Sequence, residues 1–297
     1  MYTLREALGK AEELGTAVGH FNVSELVAFK AITETARELG APVLVGVSEG
    51  EREFIGVHEV AALVKAARER GLAVFLNADH THSLKKAEEA ARAGFDEVLF
   101  DGSASSFEEN VAQTRRAVEA VKSIDDRIVV EGEIGWIGAS SEIHEKAPEG
   151  LQEGLTTPEQ ARQFVASTGV DVLAPAVGNM HGLLASMVRG ESEKRLDIAR
   201  IRGIKKATGV FMTLHGGSGT NEGDFAEAIR AGMNIVHINT ELRLAWRRAM
   251  ESALSREPHL LAPYKILLEP LHAIKSVVRS RLELFQGRAT RTTPIRS

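Results

Sequence analysis

AVFLNADHTHSLKKAEEAARAGFDEVLF, residues 73–100, is the stretch from which the fold is read. Ala73 to Ala78 is an apolar run of strand length. SLKKAEEAARAG follows as an amphipathic helix closing on Gly94, where a C-cap is expected, and Glu97 to Phe100 is a second strand-like run. The alternation repeats along the chain. Strands are predicted over Ala17 to Phe21, Val43 to Val47, Ala73 to Ala78, Glu97 to Phe100, Ile128 to Glu133, Val172 to Ala176, Val210 to Leu214 and Ile235 to Ile238. Amphipathic segments such as ELVAFKAITETARELG, HEVAALVKAARERG and TPEQARQFVASTG lie between them. Eight strands alternating with helices favour parallel pairing through right-handed crossovers, so the expected fold is α/β, a (β/α)8 TIM barrel. We expect one domain over residues 1–297, with a mainly helical C-terminal extension over 241–297 that breaks at Glu257 to Pro263. An open doubly wound sheet is the runner-up. It is weakened because AVGHFNVSE follows the first strand where a Gly-rich dinucleotide fingerprint would stand.

Composition bounds the function. The chain of 297 residues is 43% hydrophobic and 26% charged, enough for a large core. Its net charge of -5, from 36 basic and 41 acidic residues, provides no field to gather nucleic acid, so any phosphate recognition must be local. MYTLREALGKAEELG at the start lacks the apolar core of a signal peptide, and no later run approaches a membrane span. Cysteine is absent, which excludes disulfides and thiolate metal ligands. These features together lead us to expect a cytoplasmic protein with neither nucleic acid nor membrane as partner.

In a barrel of this kind the chemistry gathers where strands end. Asn22, Ser48, Asp79, His80, Asp101, Glu131, Glu133, His181, His215, Asn239 and Thr240 all fall there. Taken singly, Ser48 or Asp101 reads better as a turn former or helix N-cap. As a group they point to a site. His80, His181 and His215 follow strands three, six and seven, and three neutral imidazoles without thiolates suit zinc or a similar divalent ion. Asp79, beside the first histidine, supplies a base, and the combination points to metal-assisted carbon–carbon chemistry. HGGSGT, residues 215–220, offers backbone N–H groups to an anion, and Asn239 and Thr240 stand at a helix start, which also favours phosphate. The irregular stretch from Gly135 to Thr157 is long enough to be a functional lid.

Five motifs then carry a resemblance. NADH at 77–80, VEGEIG at 130–135, VGNMHG at 177–182, LHGGSGT at 214–220 and INTEL at 238–242 resemble, in order, the motifs of class II, metal-dependent fructose-bisphosphate and tagatose-bisphosphate aldolases. The likeness runs from FNVSE at Phe21 to SRLELFQG near the C-terminus. It implies that His80, His181 and His215 hold a catalytic zinc and that Asp79 moves a proton. Glu133 would be a carboxylate associated with metal binding, and Asp101 would lie near an accessory metal position. Gly182, Gly216, Ser218, Asn239 and Thr240 would hold a substrate phosphate, with Asn22 and Ser48 lining the pocket. A monovalent cation and a homodimer or homotetramer are further implications. The expected reaction is reversible aldol cleavage of a phosphorylated ketose, fructose 1,6-bisphosphate first, to dihydroxyacetone phosphate and an aldehyde. The alternatives are another phosphorylated sugar or sugar acid, or a sugar-phosphate-binding protein without turnover.

The chain also departs from that pattern. His237 stands where the family has an asparagine before Asn239–Thr240, and a histidine there can donate a hydrogen bond or act as an acid. After VEGEIG the expected acid falls on Ser141 in an ungapped match, leaving Glu142, with His144 and Glu145, as candidate proton donors. HGLLASMVRGESEKRLD lacks the family's Tyr-Lys pair; Arg189 or Lys194 is a possible substitute, but both read better as solvated loop charges. Arg279, Arg281 and Arg288 are candidates to reach a second phosphate on a neighbouring subunit.

Overall fold

The computed structural model describes residues 3–138, 140–147 and 154–288. Each expected run holds a strand: β1 Val18–Asn22, β2 Val43–Val47, β3 Val74–Thr81, β4 Glu97–Phe100, β5 Val129–Ile134, β6 Val172–Pro175, β7 Phe211–Leu214 and β8 Ile235–Ile238. All pair in parallel, and β1 pairs with both β2 and β8, which closes the barrel and removes the open sheet from consideration. Only β3 departs from its expected bounds by more than one residue. It runs on to Thr81, so Asp79 and His80 lie inside the strand rather than after it.

Side chains on one face of a strand recur every second residue, and here that face changes character along the barrel axis. At the floor, Val18, Leu44, Phe75, Val129, Val172 and Ile235 form an apolar cluster. The helix Leu4–Leu14, started by a Thr3–Glu6 capping box, covers it with Leu4, Ala7, Leu8 and Ala11. Two residues further along the strands the buried groups are polar: His20, Asn77, Glu131, Thr213 and His237. Two further still come Asn22, Asp79, Glu133 and His215, all buried. The barrel is thus plugged at its N-terminal end and polar towards the C-terminal end, which is where the cavity opens.

The extension is helical, with Thr240–Arg256, Pro263–Ile266 and Leu268–Phe285. The last of these lies along Leu26–Leu39 and Thr240–Arg256, burying Leu271, Ile274, Val278, Leu282 and Phe285. The three arginines singled out in the sequence each have a partner within the chain. Arg281 pairs with Glu241 at 2.8 Å, Arg279 pairs with Glu38, and Arg288 donates to the Leu39 carbonyl at 3.2 Å. Within the Gly135–Thr157 stretch, Ile143–His144 pairs in parallel with Leu183–Leu184; Ala139, residues 148–153 and the tail 289–297 lie outside the described residues. Among the described residues no helix is long and apolar enough to cross a membrane.

Candidate active site

A cavity of about 420 Å³ opens at the C-terminal end of the barrel. Asn22, Ser48, Asp79, His80, Asp101, Glu133, His181, Gly182, His215, Gly216, Ser218, His237, Asn239 and Thr240 all line it. Glu142 is exposed and outside the lining: its carboxylate accepts from the Ser140 hydroxyl at 3.0 Å, and the neighbouring Ser141 lines the cavity instead.

Three imidazoles meet there. Ring nitrogens of His80, His181 and His215 lie within 4.8 Å of one another, as a shared metal ion would require. The other nitrogen of each ring is already committed. His181 Nδ1 donates to the Gly138 carbonyl at 2.7 Å, and because a carbonyl can only accept, Nε2 is left as a lone pair. His80 Nδ1 lies 2.8 Å from Asp101 Oδ2, and His215 Nε2 lies 2.9 Å from Glu131 Oε1. Outer partners of this kind set the tautomer of metal-ligating histidines. The donor set therefore fits a divalent ion held by His80 Nε2, His181 Nε2 and His215 Nδ1. A second group, His80, Asp101 and Glu133, also brings its ligand atoms within 4.8 Å.

The backbone at the first ligand is strained. His80 has φ 42°, in the left-handed region that a side chain with a Cβ rarely adopts, and the β3–β4 register shifts between Ala78 and Thr81. Arg52 holds the strand in this shape. Its buried guanidinium donates to the carbonyls of Val47 at 2.7 Å and Asp79 at 3.2 Å, and to the Thr81 hydroxyl at 3.1 Å, so it grips both sides of His80.

Electrostatics separates the carboxylates. Burial acts to raise Asp79, but His80, His20, His215 and the hydrogen bond from Asn22 outweigh it and hold the acid below its ordinary range. Asn22 donates to Asp79 Oδ2 at 2.8 Å and to Glu51 at 3.0 Å, while Asp79 Oδ1 is buried without a hydrogen-bond partner among the described residues. Burial likewise acts to raise Asp101, yet its contacts with His80 and Ser103 bring it down. Burial, followed by the charge of Asp101, pushes Glu133 up to about 8, and its Oε2 is unpartnered among the described residues. For His80, burial is overcome by Asp79, Asp101 and Glu133, which raise it to about 10. Burial and the neighbouring His80 push His181 down to about 4. Asp79 and Asp101 are thus held ionised around His80, while burial holds Glu133 towards its neutral form.

Below this layer lies a polar network that reading strand ends did not reveal. His20 stacks on His237 with ring centroids 3.4 Å apart and planes within 3°. His20 Nε2 meets Asn77 Oδ1 at 3.2 Å, Asn77 donates to Glu97 at 2.8 Å, and Thr213 donates to Glu131 at 3.1 Å. Gly46 makes room for the stack, since a Cβ there would fall 2.0 Å from the His20 ring. The signal was present as polar residues spaced by two along single strands or just past their ends: His20 and Asn22, Asn77 and Asp79, Glu131 and Glu133, Thr213 and His215, His237 and Asn239. Arg243, on the helix that begins at Thr240, also lines the cavity and pairs with Glu51 at 2.8 Å.

The glycine loop has the shape that its sequence promised. Gly216 sits at φ 58°, and a Cβ there would lie 2.2 Å from the Met180 carbonyl oxygen. Among the described residues, the N–H groups of Gly182, Gly216 and Ser218 have no protein acceptor. Asn239 precedes the helix without using its side chain as a cap. Ser48 does cap a helix, accepting from Glu51 N at 3.4 Å, the N-cap role expected of it. Of the two loop cations, Arg189 is exposed and paired with Glu191, as expected. Lys194 is a correction: it is 4% exposed, because four backbone carbonyls surround its ammonium.

The family described as class-II fructose-bisphosphate aldolase matches residues 2–289. The chain belongs to that family. It is an aldolase, a carbon–carbon lyase, and the family is generally metal-dependent. A fructose-bisphosphate aldolase of Staphylococcus aureus (strain Mu50 / ATCC 700699) is 32% identical over 291 residues, covering 96% of this chain and 97% of that protein. A probable fructose-bisphosphate aldolase of Bacillus subtilis (strain 168) is 33% identical over the same length, again covering 96% and 97%. Among solved structures, the YdjI aldolase of Escherichia coli K12 is similar with a TM-score of 0.79 and 27% identity, covering 95% of this chain and 96% of that one. All these relatives span nearly the whole aldolase chain.

Proposed function

We propose that this aldolase is zinc-dependent and reversibly cleaves a phosphorylated ketose, fructose 1,6-bisphosphate being the first candidate, to dihydroxyacetone phosphate and an aldehyde. One observation carries the reading: three imidazoles with committed outer nitrogens meet beside the buried Asp79 carboxylate, whose Oδ1 has no hydrogen-bond partner among the described residues. His80, His181 and His215 are the zinc ligands, and Glu133 is the carboxylate positioned for metal association. Asp101 acts next to this set, through His80 and as a member of the accessory group. When bound, the ion supplies Lewis-acid stabilisation of the negative charge left as the bond between carbons three and four opens.

The chain's own groups do the rest. Asp79, held ionised and oriented by Asn22, takes the proton from the C4 hydroxyl through Oδ1 as the bond breaks. His237 lies 3.7 Å from Asp79 Oδ1, and burial and neighbouring histidines keep its pKa low, so as a neutral imidazole it donates a hydrogen bond to the developing charge. We assign return of the proton at C3 to Glu142, one residue from the cavity-lining Ser141. Gly182, Gly216, Ser218, Asn239 and Thr240 bind the phosphate, and this fixes the reacting carbons relative to the base. Asn22 and Ser48 border the sugar. The His20–His237 stack favours a second reading, in which the enzyme takes a different phosphorylated sugar or sugar acid, since it fixes the ring of His237, which lines the cavity.

Residues 1–297 act on this reading as one domain of a cytoplasmic homodimer or homotetramer, and light scattering on the purified protein tests the assembly. The activity is tested by cleavage assays on a panel of ketose mono- and bisphosphates, with and without chelator. Metal-dependent release of a triose phosphate is the expected result. Activity that survives both chelation and Asp79→Ala would overturn the mechanism.

A further inference from the structure

Lys194 is a cation in the position of an ion. Its Nζ lies 2.7 Å from the Met180 carbonyl oxygen, 2.7 Å from Gly182, 2.9 Å from Gly216 and 2.5 Å from Ser218. Among the described residues no carboxylate lies within ion-pair distance of it, although lysine is almost never fully buried without a partner. An ammonium has three donors for four acceptors. At least one oxygen is therefore held by charge alone, as oxygens around an alkali ion are. A neutral amine would turn a lone pair on one of the four carbonyls. Burial lowers the lysine to about 7 against the opposing charge of Glu241, but this carbonyl cage selects the charged form.

The four carbonyls come from two loops. Met180 and Gly182 flank His181, and Gly216 and Ser218 follow His215. A trans peptide points its N–H opposite to its C=O, and the N–H of each of these four peptides is also occupied. His181 N donates to Ile137 O at 2.7 Å, Leu183 N to Glu142 O at 2.9 Å, Gly217 N to His237 O at 3.1 Å and Gly219 N to Glu241 Oε1 at 2.8 Å. Lys194 thereby sits at the hub of four polarised peptides that reach the 135–147 segment, β8 and the helix from Thr240. Its own backbone is tied to the same place, with Lys194 N donating to Gly219 O at 2.8 Å and Asn221 N donating to Lys194 O at 3.1 Å.

We propose that the Lys194 ammonium is a built-in monovalent cation that clamps the β6 and β7 loops in their binding shape, so that the enzyme needs no added alkali ion. Removing the charge while keeping the bulk leaves four carbonyl dipoles facing one another. The remedy is a small cation from solution.

The test compares wild type with Lys194→Met and the roomier Lys194→Ala in choline chloride, potassium chloride and ammonium chloride at one ionic strength. Melting temperature and calorimetric affinity for inorganic phosphate are the readouts. The melting readout does not depend on which phosphate ester the cavity takes, so it stands apart from the substrate assignment. Wild type should respond equally to the three salts. The variants should melt lower and bind phosphate about 10- to 100-fold more weakly in choline, the loss expected when charge-assisted hydrogen bonds are removed. Potassium or ammonium should restore both. A wild type that needs potassium overturns the proposal, as do variants that match wild type in choline or folded variants that no small cation improves. If neither variant folds in any of the salts, the wild-type comparison alone decides.

Discussion

Replacing Asp101 by asparagine tests whether the outer carboxylate governs the metal site. The two oxygens of Asp101 have different tasks: Oδ2 faces His80 Nδ1 at 2.8 Å, while Oδ1 accepts from the Ser103 amide at 3.0 Å and the Ser103 hydroxyl at 2.6 Å. An asparagine cannot do both. If its oxygen faces His80, its NH2 meets the Ser103 amide donor. If its oxygen faces Ser103, its NH2 meets His80 Nδ1, which must then become the acceptor and move the ring proton to Nε2, where the ion binds. Either arrangement loses a charge-assisted hydrogen bond of about 1.5–3 kcal/mol. Loss of such a partner typically weakens metal affinity about 10- to 100-fold. Competition titration of zinc or cobalt against a chromophoric chelator measures this directly. Stoichiometry should stay at one high-affinity ion per chain, and His80→Ala should cost more than Asp101→Asn. Zinc affinity in Asp101→Asn within about threefold of wild type, a difference well under the hydrogen-bond energy, would refute the reasoning.

Asp79→Asn keeps the hydrogen-bonding volume but removes the base, so kcat for cleavage should fall about 10²- to 10⁴-fold; steady-state kinetics with unchanged activity would exclude Asp79 as the proton acceptor. Gly216→Ala places a Cβ 2.2 Å from the Met180 carbonyl at a φ of 58°, and it should destabilise the fold by about 1–3 kcal/mol and raise KM for phosphorylated substrates. Calorimetry and kinetics together check this, and a silent substitution would mean that the loop is not under the close approach described. Below the barrel, Asp171 is partly buried, but Lys122 at 2.7 Å, the Val130 amide at 2.9 Å and Arg5 lower its pKa. A carboxyl with a depressed folded pKa contributes stability above its unfolded value of about 4 and loses it as pH falls through the folded value. Asp171→Asn should accordingly lower the melting temperature at pH 7 and have a smaller effect at pH 3, and a constant difference across that range would contradict the assignment.

The fold was legible because each barrel strand and its helix are local events. Apolar runs such as Val43–Val47, amphipathic segments between glycine caps, and the count of eight require no knowledge of distant residues. The site was legible in part for a related reason. In a closed parallel barrel all strand ends face one rim, so naming Asp79, His80, His181 and His215 by position was enough to bring them together. Glu142 shows where this reasoning stops: it lies in a long irregular segment, and no periodicity tells which of Ser141 and Glu142 faces the cavity.

Sequence by itself determined the α/β barrel, the rim on which the histidines gather and the glycine loop beside them, because these follow from pattern, spacing and chain order. Tertiary structure alone decided what those residues touch. It closed β1 on β8, committed His80 to Asp101, His181 to Gly138 and His215 to Glu131, and stacked His20 on His237. It also turned Lys194 from an apparent loop charge into a buried ammonium among four carbonyls. The physical reason is the same in every case. Hydrogen bonds and desolvation act over a few ångströms between residues far apart in the chain, 84 positions for His215 and Glu131 and 192 for Arg243 and Glu51, and that proximity is created only when the barrel closes.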